Sequence, residues 1–378
     1  MFDRNRIRPG HLTERDRKSS ITDIYIKPGM PPSELPDGQQ LPFEYQELME
    51  KTADDIRNAR EHGSSVILAY GAHVIKNGCG GILRRLVEDG YVTHLATNGA
   101  GSIHDWEFAY LGRTEEDVRR NVQTGDFGTW NETGKYMNLA IILGAAEGLG
   151  YGESISRLIH NDFLQIPATR DIRNRLEEIA KNPHALKEKD CGLLDLLRAI
   201  RMHPPPELSR QLVIEHPYKQ YSVQEAAYAA EKPCTVHPGI GYDIIYTHPL
   251  CSEAAIGRTA GVDFLKYVDS VSRLNGGLYL SVGSAIMSPM VFEKSLSMAR
   301  NVAAQEGREI ADFRIVVNDI QLGEWGWGTG REPPKTSPAY YLRFCKTFDR
   351  MGAREMNYVC ADNRGFLLSL HHALGGQK

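Results

Sequence analysis

The chain is expected to fold as an α/β protein, with a doubly wound and mostly parallel sheet that carries an α-rich insertion. Three observations predict this. Between Val66 and Leu111, two short apolar runs, VILAY and THLAT, are each stopped by a small-residue turn, GAHVIKNGCGG and NGAGS. The segment ILRRLVEDG between them has helical character, so the stretch describes a βαβ unit with its turns at the carboxyl ends of two parallel strands. Later, CTVHPGIGYDIIYTH, GGLYLSVGSAIMSP, FRIVVNDIQLGEWGWGTG and EMNYVCADNRGF repeat the same order of apolar run and small or polar turn. At least five strand–turn units result, as a parallel sheet with a functional edge requires. Ligands bind at that edge, and backbone N–H groups freed by glycines suit a diphosphate. The GxGxxG fingerprint itself is absent.

The other elements follow in order. Residues 1–40, which include IKPGMPPSELPDGQQLP, lack periodicity and are expected to form an extended arm wrapping the body or a neighbouring subunit. The remainder, 41–378, is read as one α/β domain. Phe43 to Arg60 has a helical pattern with Leu48, Met49, Ala53 and Ile56 toward one side. Ser102 to Leu111 opens a helix with Asp105 and Glu107 in its first turns, where carboxylates favour the positive dipole end. TGDFGTWNETGKYMN reads as a polar loop before the helix LAIILGAAEGLG. Tyr151–Leu164, Thr169–Ala180, Gly192–Met202 and Ser222–Ala230 also look helical, with HPPPEL as a break. This makes 125–230 the α-rich insertion. Strands are expected at Leu278–Val282, Ile315–Val317 and Met356–Cys360.

Composition narrows the class. A chain of 378 residues with 41% apolar and 24% charged residues is that of a globular protein with ample core. A net charge of −4 gives no global attraction to nucleic acid or to an anionic membrane. The basic, polar start MFDRNRIRPGHLTERDRKSS has no apolar region behind it, and no apolar run approaches the ~20 residues that span a bilayer. Six scattered cysteines without a CxxC pair suit reduced thiols in the cytoplasm. Cys79 stands apart because it precedes a helix, whose N-terminus can lower a thiol pKa.

The turns together resemble those of the deoxyhypusine synthase superfamily, over roughly Val66–Leu111 and Pro233–Leu374. AYGAHVIKNG is similar to that family's T-S-N-x-x-S-x-G turn, ATNGAG to its TTAGG or TTGAN turn, YDIIYTH to GDMLYFH, VNDIQ to IN-TAQ and VCADN to YADA. The resemblance implies an NAD-binding, Rossmann-related fold that assembles as a homotetramer with active sites between subunits. It also implies that His73 and Asn77, then Asn98, Gly99 and Ala100, then Asn318 and Asp319, then Ala361 and Asp362 approach the cofactor. The physical reading agrees, since small residues admit a diphosphate and carboxylates or amides hold ribose hydroxyls. ATNGAGSIHDWE also resembles the GNALAVHDIE segment of archaeal-type and cyanobacterial ornithine cyclodeaminases through His104, Asp105 and Glu107.

The resemblance departs where the synthase does its chemistry. Its SWGK-like lysine falls at Tyr340, Tyr341 or Leu342, with Lys335 a few residues earlier, and MSPM at Met287–Met290 replaces its KHH segment. Without an amine nucleophile the covalent intermediate cannot form, so true deoxyhypusine synthesis is not expected. The chain is instead expected to use NAD on a small amine or amino acid, by hydride abstraction and an imine. Ammonia elimination of ornithine cyclodeaminase type, or a noncatalytic NAD-binding scaffold, are the alternatives. Asp243 and Glu324, the latter flanked by Trp325 and Trp327, are expected to hold the ammonium through charge and cation–π contact. His104 or Tyr341 would move the proton. Asp243 also suits an Asx cap, and Asp105 a simple helix cap. No metal set is expected, because His237 and His248 flank the third turn without a third ligand at metal spacing.

Overall fold

The computed structural model describes residues 1–202, 210–329 and 331–376, so the HPPPEL break lies outside the described residues. Six parallel strands form the central sheet: β1 (Val66–Tyr70), β2 (His94–Asn98), β3 (Cys234–His237), β4 (Gly277–Val282), β5 (Phe313–Asp319) and β6 (Glu355–Cys360). They lie in the order β6-β5-β4-β1-β2-β3. The register runs from Glu355 beside Arg314 at one side to Asn98 beside His237 at the other. Strands β1, β4 and β5 are buried along their whole length, which is why their centres read as apolar runs, VILAY, LYL and IVV.

The order places β1 and β4 side by side although the chain leaves β1 in one direction and β4 in the other. This is the doubly wound, Rossmann-related arrangement, with its topological switch point between the turns after β1 and β4. Twelve helices are labelled α1 (Gln46–Glu61), α2 (Gly80–Glu88), α3 (Gly99–Leu111), α4 (Asn131–Glu147), α5 (Tyr151–Asn161), α6 (Thr169–Lys181), α7 (Gly192–Met202), α8 (Val223–Ala229), α9 (Glu253–Ser272), α10 (Met287–Gln305), α11 (Arg343–Asp349) and α12 (Asn363–Ala373), beside the short helices Ile21–Ile24, Ala72–Lys76 and Val118–Thr124. Strand alternation divides the core. Val66, Leu68 and Tyr70 pack with Met49, Ile56, Leu83 and Phe366 of α1, α2 and α12. Ile67 and Ala69 pack with Tyr267, Phe292 and Phe348 of α9, α10 and α11. A third cluster unites α4, α5 and α7 with Trp106 and with Val236 of β3.

Two expectations along the crossover from β2 to β3 are corrected. Helix α3 begins at Gly99, because the Asn98 side chain accepts a hydrogen bond from the Gly101 N–H at 2.8 Å and caps it. Asp105 and Glu107 therefore sit in its buried interior and not at its dipole end. The expected loop before LAIILGAAEGLG is helical from Asn131, since Thr133, Gly134 and Met137 are buried against neighbours.

The N-terminal arm packs on its own chain. Gly10 bridges to Trp130, Ser19–Ser20 pair with Arg113–Thr114, and the Ile26 N–H donates to the Gly78 carbonyl at 3.1 Å. The Arg15 guanidinium reaches Glu107 on α3 with two hydrogen bonds of 2.8 and 2.7 Å.

Cys79 is corrected as well. It is fully buried before α2, and burial pushes its thiol well above the ordinary range, outweighing any help from the helix end. Alkylation at pH 8 should spare Cys79 in the native chain while labelling the half-buried Cys191 and Cys360; peptide mapping after brief iodoacetamide treatment checks this.

Candidate functional site

The carboxyl edge of the sheet gathers the turns that follow all six strands. At the switch point the backbone of Gly71, after β1, lies directly against Gly283, after β4. A Cβ on Gly71 would stand 2.0 Å from the Gly283 carbonyl oxygen, so no other residue fits without moving the strand ends. The Gly71 N–H donates to the Val282 carbonyl at 3.0 Å, and the Gly283 N–H to the Asn318 carbonyl at 2.9 Å. The floor of this crevice is therefore bare backbone.

Two amides stand beside it. Asn318, at the end of β5, donates from Nδ2 to the Ala361 carbonyl at 2.8 Å and to the Val359 carbonyl at 3.2 Å, which fixes the orientation of its amide. Its Oδ1 is buried without a partner among the described residues, and so is Oδ1 of Asn363, the first residue of α12. Buried acceptors left open are costly unless something donates to them, and ribose hydroxyls or a carboxamide have the donors. Two buried acceptor oxygens thus stand without donors among the described residues, beside the close contact of the Gly71 and Gly283 backbones.

Asp243 lies one strand away. The loop after β3 lays its carboxylate over the first turn of α3, where a Cβ on Gly99 would stand 2.3 Å from Asp243 Cγ. Only glycine permits this approach. Asp243 is buried, its Oδ2 has no partner among the described residues, and burial pushes its pKa up to about 6, opposed only in part by a hydrogen bond from the Gly239 backbone. A carboxylate so placed can take a proton near neutral pH or pair with a cation.

Other expected site residues lie elsewhere or are already engaged. His73 is exposed on the short helix Ala72–Lys76 directly after Gly71, while Asn77 ends that helix next to Gly78, whose backbone meets Ile24 of the arm. Ala100 lies in the first turn of α3 behind Gly99. The Asp319 carboxylate accepts from the Ile320 and Gln321 N–H groups at 2.8 and 3.2 Å, closing its own turn. Asp362, after Ala361, caps α12 and holds Arg364 in a bidentate pair of 2.8 Å contacts.

His104 is tied through Nδ1 to the Thr114 hydroxyl at 2.7 Å, and Thr114 in turn donates to Glu107. Burial lowers its pKa to about 4. Asp105 accepts from the Ser222 hydroxyl and the Val223 and Gln224 N–H groups, so it caps α8 and not its own helix. The adjacent pair therefore faces two different structural networks.

Glu324 does not join Asp243. It follows β5, whereas Asp243 lies over the turn after β2, and three strand spacings separate these by ~14 Å. Glu324 is exposed in a cavity of about 450 Å³ with Glu44, Tyr45, Trp325, Trp327 and Tyr358, beside the edge strand β6. Tyr341 is exposed at the end of the turn Pro338–Tyr341, edge-on to Tyr340 at 5.5 Å. The shared ammonium clamp expected from the sequence is not assembled within one chain.

Sequence reading missed Gly71 and Asn363 as site residues and treated Gly283 as turn alone. Their signal lies in the strand order, which brings the turns after β1, β4 and β6 together. Large apolar side chains rim the same edge in the open: Ile240 and Tyr242 after β3, Ile286 and Met290 after β4, and Ile320 and Leu322 after β5.

Among the described residues no group of three or more His, Cys, Asp or Glu is placed to hold a metal, and no helix is long and apolar enough to cross a membrane. No protein-family profile matches the chain, and no curated protein does. Solved structures do. A LOR/SDH-type protein from Methanococcus maripaludis S2 aligns over 90% of this chain and 73% of its own at 14% identity and a TM-score of 0.45. ArgZ, an arginine dihydrolase from the ornithine–ammonia cycle in cyanobacteria, aligns over 87% of this chain at 16% identity and a TM-score of 0.40. AgrE, in a ternary complex with ornithine and NAD+, aligns over 89% at 16% identity and a TM-score of 0.45. The chain spans about a third of the last two, 32% and 34%. At these scores the likeness carries no argument about function, and the site must be judged on its own geometry.

Proposed function

We propose that the protein is an NAD-dependent enzyme that oxidises a small amine or amino acid at the carbon bearing nitrogen. One observation carries the reading: a buried carboxylate with one oxygen unpartnered, Asp243, stands one strand from the glycine contact at the switch point, which is flanked by two unfilled amide oxygens. The Gly71 and Gly283 backbones would admit the diphosphate, and Asn318 and Asn363 would accept from ribose hydroxyls. Bound NAD supplies a hydride acceptor. Asp243 would pair with the substrate ammonium, orient its carbon toward the switch point and take one N–H proton as the hydride leaves that carbon, so that a protonated imine (iminium) and a protonated Asp243 result. Water excluded by the apolar rim strengthens that pairing.

The imine then loses ammonia to water, as in ornithine cyclodeaminase-like chemistry, or meets a second amine. Deoxyhypusine synthesis is outside the proposal, because Lys335 is exposed and Met287–Met290 opens α10, so neither replaces the lysine and histidine that chemistry needs. The exposed apolar rim favours a homo-oligomer whose subunits close over this edge. A noncatalytic dinucleotide-binding protein is the competing reading, favoured by that missing lysine.

A thermal-shift titration with NAD+, NADH and NADP+, each with and without a panel of amino acids and polyamines, tests the proposal. A ligand that binds only the folded state raises the melting temperature, by about 2.7 kcal/mol of stabilisation at 100 Kd. NAD+ should stabilise, one amine should deepen the effect, and that pair should generate absorbance at 340 nm. Stabilisation without turnover over the whole panel would favour the noncatalytic reading, and no shift with any dinucleotide would end both.

A further inference from the structure

The third turn carries a histidine that the chemistry above does not use. His237 ends β3 beside Asn98 of β2, at the same edge as Asp243. Its Nε2 lies 3.1 Å from the Thr235 hydroxyl, which lies 2.9 Å from His94 Nε2, and His94 Nδ1 lies 2.7 Å from the Ser270 hydroxyl. Ser270, His94 and Thr235 are all buried. Tyr267 of α9 stands edge-on to both rings, at 5.5 Å from His94 and 5.1 Å from His237, and holds them in line.

The two ends of this chain open to different places. Ser270 and Thr235 line a cavity of about 900 Å³ on the outer flank of β3, together with Asp263, Lys232 and Lys266. At the other end, His237 is half-buried at the end of β3, and its one hydrogen bond among the described residues is through Nε2. The chain climbs from the amino end of β2 to the carboxyl edge of β3, through the interior and along one face of the sheet.

We propose that Ser270, His94, Thr235 and His237 form a proton relay between the outer cavity and the carboxyl edge of the sheet. Thr235 has one hydroxyl proton and stands between two ring nitrogens, so it donates to one and accepts from the other. In one polarity Ser270 donates to His94 Nδ1, His94 Nε2–H donates to Thr235, Thr235 donates to His237 Nε2, and His237 carries its proton on Nδ1. Loss of that Nδ1 proton at the edge draws each hydrogen one place along. His237 becomes Nε2–H, His94 becomes Nδ1–H, and Ser270 takes a replacement proton from cavity water. One proton enters and one leaves, and no ring is charged at either end state. Burial agrees, since it lowers His94 to about 3 and His237 to about 4 and keeps both neutral at physiological pH. Conduction does not depend on the enzymatic reading; its use rests on it, with the same chain run in reverse, His237 taking a proton at the edge and Ser270 releasing one to cavity water, to drain the proton released by amine oxidation.

The test follows the His94 ring proton in ¹⁵N-histidine-labelled full-length protein by NMR. With a relay, this deeply buried proton exchanges with water through the chain. Thr235→Val and Ser270→Ala, each cutting one side, should slow it by about tenfold, because only local opening then remains. Thr235→Ser should restore the wild-type rate. In a merely structural cluster the same cuts remove a stabilising hydrogen bond, and exchange should be unchanged or faster. That result, or wild-type nitrogen shifts showing both rings protonated on Nε2, would overturn the relay. If Thr235→Val does not fold, Ser270→Ala on α9 gives the same reading. NAD+ stabilisation measured on the same samples decides the dinucleotide reading separately.

Discussion

Asp243→Asn will raise the stability of the protein at pH 8 and sharply reduce the proposed amine oxidation. The sign of the first effect follows from burial. The folded-state pKa of about 6 lies above the unfolded value near 3.9, so the folded chain binds more protons between those limits and stability falls as pH rises through that window. Above pH 6 the ionised carboxylate costs about 2–3 kcal/mol, which the neutral amide of the same shape avoids. Chemical denaturation at pH 8 should therefore give a more stable variant, and at pH 4 the difference should vanish. Turnover with the amine found by titration should fall by about 10²-fold or more, while affinity for NAD+ stays within about threefold. A variant less stable than wild type at pH 8 would mean that Asp243 already has a partner, and the proposed substrate pairing would lose its basis.

Arg15→Ala should cost about 3–5 kcal/mol, because it strands Glu107 as an unpaired charge in the interior. Both side chains are nearly inaccessible, and Glu107 also accepts from Thr133 at 2.9 Å and from Thr114. Burial alone would raise the Glu107 carboxyl, but the Arg15 charge and its paired hydrogen bonds outweigh that and hold it below the ordinary range. This contribution is present above the unfolded pKa and is lost as pH falls through it. The double variant Arg15→Met/Glu107→Met should recover most of the loss, since apolar replacement of a buried pair is often neutral. Limited proteolysis should release the arm of Arg15→Ala first. Because Glu107 sits on the helix whose first turn carries Gly99 under Asp243, amine binding should weaken as well. Equal stability of Arg15→Ala and wild type would show that the arm is not anchored through this pair.

Much of the sheet was legible in the sequence because central parallel strands are buried on both faces. Runs such as VILAY and LYLSV are apolar but for Ser281 and carry no charge, and each strand then ends at a small or polar turn. Asp243 stands out in the sequence as the acidic residue of the turn after the edge strand β3. The strand order was not, because the chain must cross back over β1 after β3 before β4 pairs, and no local signal records that return. Gly71, Gly283 and Asn363 therefore meet without warning.

The HDWE segment was misread at its helix start. NGAGS reads as a turn, but Asn98 caps a helix there and the glycines form its first turn. His104, Asp105 and Glu107 then fall in the helix interior, and their partners Thr114, Ser222 and Arg15 come from distant parts of the chain. Glu324 was drawn toward Asp243 by chemical kinship, a carboxylate between two indoles, and the sheet keeps the two apart.

The most direct test of this account is the structure of the protein with NAD+ bound. The diphosphate should lie over the Gly71 and Gly283 backbones, with ribose hydroxyls on Asn318 and Asn363 and the nicotinamide within reach of a substrate held by Asp243. NAD+ in the cavity beside β3 or in the aromatic recess beside β6, with the switch point left empty, would contradict it.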